Sequence, residues 1–144
     1  MRLLLTLLLL AAAHAAMAGE FRSIGDNAAL MYDAPSIKAK PLFVASRYYP
    51  VEVIVQLDNW TKVRDVAGDL AWVEKKDLSD MRTVLVTAAL ADVRERPEDD
   101  APLVFQARQG VALQLVELGA GPWVKVRHRD GQTGYVRADQ VWGL

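Results

Sequence analysis

Apolar and polar residues alternate along this chain in short runs that are broken by turn-forming residues. Val51-Glu52-Val53-Ile54-Val55-Gln56-Leu57 places an apolar side chain at every second position, the period of a half-buried strand. Val111, Leu113 and Leu115 repeat the alternation further on. Asp58-Asn59 and Gly119-Ala120-Gly121-Pro122 follow these runs as turns, because such residues bond locally or accept the backbone angles a turn needs. Asp130-Gly131 predicts a tight hairpin in which both residues take positive φ. Ala67-Gly68-Asp69 predicts a weaker version of the same turn. Arg82 to Thr87 is a β-branched strand, and Phe21 to Ile24 is placed to do the same job earlier in the chain. Past the first residues, no run keeps a helical period for more than a turn or two. The pattern predicts an all-β protein.

The runs also recur. Trp60-Thr61-Lys62-Val63 followed by Ala71-Trp72-Val73 is echoed by Trp123-Val124-Lys125-Val126 followed by Gly134-Tyr135-Val136. Pro35 matches Pro97, and Pro41-Leu42 matches Pro102-Leu103, with every pair 61–63 residues apart. A near-constant separation of this kind marks a duplication with small loop changes. Asp33 to Lys38 and Glu95 to Asp100 are polar, Pro-bearing loops at equivalent places. About five short strands in a unit of about 60 residues predict a small, strongly bent β-barrel. The units run over residues 19–80 and 81–144. The join, Leu78-Ser79-Asp80-Met81-Arg82, has neither Gly nor Pro, which predicts two barrels in contact rather than on a flexible tether.

The N-terminus is set apart from this pattern. Arg2 is followed by an almost unbroken Leu and Ala run from Leu3 to Ala13, and Ala16-Met17-Ala18 has the small-x-small form of a cleavage site. Residues 1–18 therefore predict a signal peptide cleaved after Ala18. The apolar run is shorter than the roughly 18–20 residues a spanning helix needs, so no membrane span is expected after cleavage. The mature protein is expected to be periplasmic or extracellular. A net charge of −1 offers no electrostatic basis for nucleic-acid binding. The chain has no Cys, so it has neither disulfides nor a thiol nucleophile. Its stability must come from packed apolar surface.

The inventory for catalysis is thin. His14 lies in the leader, which leaves His128 beside a hairpin turn, where an exposed turn residue is expected rather than a base or metal ligand. Glu98-Asp99-Asp100 lacks the spacing of a calcium loop. Ser23, Ser36, Ser46 and Ser79 have no nucleophile context. No catalytic residue, metal or cofactor is expected. The aromatics carry more. A strand's period of two puts Trp123 with Lys125 and Arg127, and Trp60 with Lys62 and Arg64. Each Trp either lies on an outer basic face that could stack on a sugar or meet a peptide carboxylate, or turns inward or into a seam between the units. Tyr48-Tyr49-Pro50 occurs in the first unit only, as a recognition patch or as the cover of an open barrel end. The candidate ligand-binding residues are Trp60, Trp72, Tyr48, Tyr49, Trp123, Tyr135, Lys125 and Arg127.

The second unit resembles the bacterial SH3-like (Src homology 3-like) domain. The residues that carry the resemblance are Val86-Thr87-Ala88, Ala91-Asp92-Val93-Arg94 with Pro97, Gly110-Val111, Trp123-Val124-Lys125-Val126 and Gly134-Tyr135-Val136. Asp92 stands where the family usually has Asn, and Pro122 where Gly usually precedes the Trp. The first unit is a more diverged copy, with Tyr32 in place of Arg94 and Ala71 in place of Gly134. The resemblance implies tandem SH3-like β-barrels in an exported bacterial protein that binds peptidoglycan or an envelope protein. It favours the second unit, which keeps the pattern more closely, where only one unit binds. A structural or assembly factor that recruits a protein partner is the alternative, and a small cell-wall hydrolase is a third reading. Export is checked by intact mass: the purified mature chain is expected to begin at Gly19, and a mass that retains residues 1–18 rejects cleavage.

Overall fold

The computed structural model describes residues 19–119 and 121–144. The expected leader, residues 1–18, lies outside the described residues, as does Ala120 in the turn before Trp123. The first module contains β1 (Phe21–Ile24), β2 (Ala29–Tyr32), β3 (Pro41–Ala45), β4 (Pro50–Gln56), β5 (Trp60–Arg64) and β6 (Leu70–Glu74). A 3-10 turn at Lys75–Asp77 then leads to β7 (Leu78–Ser79). The second contains β8 (Thr83–Val86), β9 (Leu90–Arg94), β10 (Leu103–Arg108), β11 (Ala112–Leu118), β12 (Trp123–Arg127) and β13 (Thr133–Arg137). It ends in a 3-10 turn at Ala138–Gln140 and β14 (Val141–Trp142).

The sheets have the same topology. The first runs β3-β2-β6-β5-β4-β1-β7 and the second β10-β9-β13-β12-β11-β8-β14. All pairings are antiparallel, and they match residue for residue: Val63 faces Ala71 as Val126 faces Gly134. Each sheet curls around its own apolar cluster. Ile24, Met31, Val51, Val63 and Val73 fill the first. Val84, Val86, Val93, Leu113, Val124, Val126 and Val136 fill the second. The two tandem all-β modules read from the alternation and the repeat are thus present. Seven strands replace the expected five or so because each module adds a short closing strand and a strand, β3 or β10, just after its Pro-bearing loop.

Two local expectations are corrected. The alternation from Val51 to Leu57 does not stay half-buried. Val53 pairs with Val63 but Val55 pairs with Lys62, so Ile54 is an extra, bulged residue. A bulge bends the strand and breaks the phase of its side chains, and Val55 and Leu57 end 41% and 47% exposed. Val116 is the equivalent bulge in β11. The second correction concerns Asp130-Gly131. Gly131 takes φ 97 but Asp130 remains in the ordinary region. His128 N–H donates to the Gln132 carbonyl at 2.8 Å and Gly131 N–H to the His128 carbonyl at 2.9 Å. Asp65, Gly68 (φ 87) and Asp69 form the same turn in the first module, so neither hairpin is the weaker one.

The modules share a seam. Asp80, Met81 and Arg82 alone connect β7 to β8. The Ser23 hydroxyl, fully buried, donates to the Met81 carbonyl at 2.7 Å. The buried Thr83 hydroxyl donates to the Tyr48 carbonyl at 2.6 Å. Phe21 meets Trp142 edge to face at 5.2 Å, and the Arg82 guanidinium lies 5.5 Å from the Phe21 ring. Arg82 also donates to the Gly143 carbonyl at 2.8 Å. Gly143 has φ 118, and a Cβ there would stand 2.9 Å from the Thr83 carbonyl and 3.3 Å from Pro50.

Gly134 carries the closest approach inside the second barrel. A Cβ at Gly134 would lie 2.7 Å from the Arg94 carbonyl and 2.7 Å from Val93 Cγ1. Gly134→Ala must push strands β9 and β13 apart, a form of overpacking that costs about 1–3 kcal/mol. Urea unfolding is expected to show this loss as a lower midpoint, and an unchanged midpoint rejects the close approach.

Candidate functional site

The structure separates the eight sequence candidates into three kinds of setting. Trp123 begins β12 and is only 7% exposed. Arg137, its cross-strand partner, lays its guanidinium 5.5 Å from the Trp123 ring and reaches on to Asp99 and Asp139. An Arg stem and head readily cover an aromatic ring in this way. The exposed-face reading is therefore corrected for Trp123, which belongs to the wall of its barrel. In the first module the residue opposite Trp60 is Glu74. Glu74 pairs with Lys76 instead, so no guanidinium covers the ring. Trp60 rests edge to face on Tyr32 at 5.4 Å and stays half-buried beside Ile37, Asn59 and Lys75. The more accessible of these two Trp residues thus lies in the more diverged module. Neither packs in the seam, where Trp142 sits instead.

Trp72 and Tyr135 form a second, matched pair. Lys62 faces Trp72 across β5 and β6, and Lys125 faces Tyr135 across β12 and β13. The ammonium groups stand 6.0 and 5.9 Å from the ring centres, at the outer edge of cation–π range. Both pairs are half-buried, and they place Trp72, Tyr135 and Lys125 on the outer faces of their sheets.

Tyr48, Tyr49 and Arg127 come together, although they lie in different modules. They line a cleft of about 790 Å³ between the barrels, within the range that ligand pockets occupy. The first module supplies Ser46, Arg47, Tyr48 and Tyr49. The second supplies Thr83, Leu85, Val111, Ala112, Gln114 and the hairpin Arg127, His128, Arg129 and Gly131. Tyr48 has φ 67, the only positive φ at a non-glycine residue among the described residues. Its counterpart in the second module is Gly110, at φ 88. The two N–H groups make the same bond, Tyr48 to the Ile24 carbonyl and Gly110 to the Val86 carbonyl, each at 2.8 Å. A Tyr in this left-handed conformation costs about 1–2 kcal/mol relative to glycine, and such strain concentrates where function needs a side chain in place.

The neighbours of these residues set the cleft's electrostatics. Arg47 holds its guanidinium 5.0 Å from the Tyr48 ring. Burial pushes the Tyr49 hydroxyl up from its ordinary value and the nearby Asp65 adds to this, against a hydrogen bond with the Val66 backbone; Tyr49 stays protonated and neutral. The Gln132 N–H holds the Asp130 carboxyl below its usual range, and His128 adds to the effect. His128 is half-buried, not the exposed turn residue expected: its ring lies 5.5 Å from Phe105. Arg47, His128, Arg129 and Thr83 went unnoticed in the sequence as cleft residues. Aligning Ser46-Arg47-Tyr48 with Arg108-Gln109-Gly110 would have exposed Tyr48 as the departure from glycine.

A family model described as bacterial SH3 domain matches the chain twice, over residues 25–80 and 87–143. Among solved structures, the chain is similar to NlpC1 from Trichomonas vaginalis, at 15% identity and a TM-score of 0.41, over 95% of this chain and 50% of that one. It is also similar to an NlpC/P60 family protein from Bacillus cereus ATCC 10987, at 16% identity and a TM-score of 0.40, over 85% of this chain and 56% of that one. The chain thus spans about half the length of each. A search of curated proteins finds no match.

The burial of Trp123 has a direct consequence. Trp123→Ala is expected to destabilise the protein by about 3 kcal/mol, the scale of a buried aromatic truncation, and half-buried Trp60→Ala by less. Denaturant unfolding of the two variants checks the order, and equal losses reject it.

Proposed function

This chain belongs to the bacterial SH3 domain family, with one copy in each module, and on that premise we propose that it is a non-enzymatic, exported binding protein of the bacterial cell envelope. Its ligand is cell-wall peptidoglycan. The observation that carries this reading is the cleft between the modules, where a strained Tyr48 and three arginines from both copies converge. A hydrophobic wall with a few placed polar groups is the usual form of a ligand site. Export is supported by the leader pattern of residues 1–18. The absence of Cys supports a binding rather than a hydrolytic role, because thiol chemistry is unavailable to the chain.

A second reading, an assembly factor that recruits a protein, is favoured by one observation. Strand β3 is a sheet edge, and Leu42, Phe43 and Val44 on it are all exposed. Exposed edges of this kind can accept a further strand.

The test is cosedimentation. Mature protein is mixed with insoluble peptidoglycan and spun, and most of it is expected in the pellet with no soluble muropeptides released. Recovery in the supernatant rejects wall binding and turns attention to the β3 edge. Release of muropeptides rejects the non-enzymatic role.

A further inference from the structure

We propose that the cleft between the modules is an anion site that takes the free carboxylate end of a short peptide. This deepens the binding role proposed above and rests on it for the ligand's setting. Arg47, Arg127 and Arg129 line the cleft together with His128, and no Asp or Glu is among its lining residues; the nearest carboxylate in the hairpin, Asp130, stands 3.1 Å from His128 Nδ1 and pairs with none of the three arginines. Elsewhere, Arg22, Arg64, Arg94, Arg96 and Arg137 each stand in an ion pair, Arg82 is held in the seam by the Gly143 carbonyl and the Phe21 ring, and Arg108 stands in no ion pair among the described residues. Among the described residues Arg47, Arg127 and Arg129 stand in none. In a chain of net charge −1, this leaves three arginines without an ion pair facing one cavity.

The duplication shows how the charge was freed. In the first module Glu52 faces Arg64 across β4 and β5, and the two form an ion pair at 3.1 Å. In the second module the same cross-strand position opposite Arg127 is Gln114. Gln114 keeps the shape of Glu without its charge, so Arg127 is left for another anion. The hairpin carries a parallel change. Asp65 and Val66 of the first module stand where the second has His128 and Arg129.

The geometry of Arg47 fits a carboxylate. A guanidinium stacked on an aromatic ring keeps its N–H edge free, and that planar fork matches a carboxylate with two parallel hydrogen bonds. Arg47 lies over the Tyr48 ring at 5.0 Å, and Tyr48 is held in a left-handed conformation at its position. Tyr48 is therefore a positioning residue for Arg47. Leu85, Val111 and Ala112 supply the apolar part of the lining. A ligand for this lining needs an anionic end on an apolar body, which describes a peptide terminus with small side chains and not a bare inorganic anion.

The probe is N-acetyl-alanyl-alanine with a free carboxylate, compared with its C-terminal amide and with inorganic phosphate, each titrated into the full mature chain and followed by amide NMR shifts. The acid is expected to shift Arg47, Tyr48 and residues 127–131, and the amide to bind at least about tenfold more weakly, as loss of one charge-assisted contact implies. Arg127→Gln with Arg129→Gln is expected to lower affinity for the acid by at least as much, and Arg96→Gln, in an exposed loop outside the cleft, to leave it unchanged. Tyr48→Gly is the decisive variant. Glycine accepts the backbone angle, so the melting temperature is expected to hold or rise while acid binding falls. Equal binding of acid and amide, phosphate binding as tight as the acid, or shifts centred on Trp60 would each overturn the proposal. Sedimentation with peptidoglycan that survives the double Arg variant, with no acid binding, removes the cleft inference and keeps the wall reading. Acid binding by a protein that stays in the supernatant does the reverse.

Discussion

The bond from the Thr83 hydroxyl to the Tyr48 carbonyl holds this architecture in register. It joins the first strand of the second barrel to the loop that closes the first. A module of about 60 residues buries only about 60% of the surface its unfolded chain exposes, and no disulfide compensates here. Each barrel therefore gains from covering part of the other. Ser23 bonded to Met81, Phe21 against Trp142 and Gly143 against Pro50 complete the same seam. Both hydroxyls are buried, so losing either partner leaves an unpaired polar group, a cost of about 1–3 kcal/mol. The cleft depends on this arrangement, since its two walls belong to different modules.

The two copies share strand order, register and even bulge positions, and a few substitutions make them chemically different. Glu74 in place of Arg137 leaves Trp60 uncovered while Trp123 is roofed over. Tyr32 packs on Trp60, whereas its counterpart Arg94 bonds to the Ala101 carbonyl and to Asp92. Gly134 permits the tight approach of Arg94, and Ala71 occupies the equivalent place beside Tyr32. None of these exchanges alters the fold, because each lies on a wall or an outer face. Each alters what the surface offers.

Much of this was legible in the sequence. The all-β class and the tandem repeat followed from period-two alternation and from matched Trp-Val runs, because a strand's inward positions must be apolar whatever the tertiary context. Trp60 and Trp123 look equivalent in the sequence because they occupy equivalent strand positions. Their exposure is decided by the cross-strand neighbours Glu74 and Arg137, which lie in a different run of sequence. The bulges at Ile54 and Val116 were hidden for a similar reason: one extra residue in a strand leaves the local alternation intact and shows only in pairing. Tyr48 and Tyr49 are legible as one patch and Arg127 as part of the Trp123 face, but the meeting of the patch with Arg127 depends on how the barrels dock.

The position of the divergence bears on function more than its extent does. Here Arg47 replaces the equivalent of Gln109, Tyr48 that of Gly110, His128 that of Asp65 and Gln114 that of Glu52, and all four line one cavity. Three of these four changes add positive character or remove negative character there, and the fourth places an aromatic ring where the backbone favours glycine. A strained residue persists only where the surrounding structure holds it. The Thr83 bond to the Tyr48 carbonyl and the Tyr48 N–H bond to Ile24 hold this one from both sides. The seam that stabilises two small barrels also fixes Tyr48 and, through it, the guanidinium of Arg47, so the docking of the modules and the shape of the cleft rest on the same few bonds.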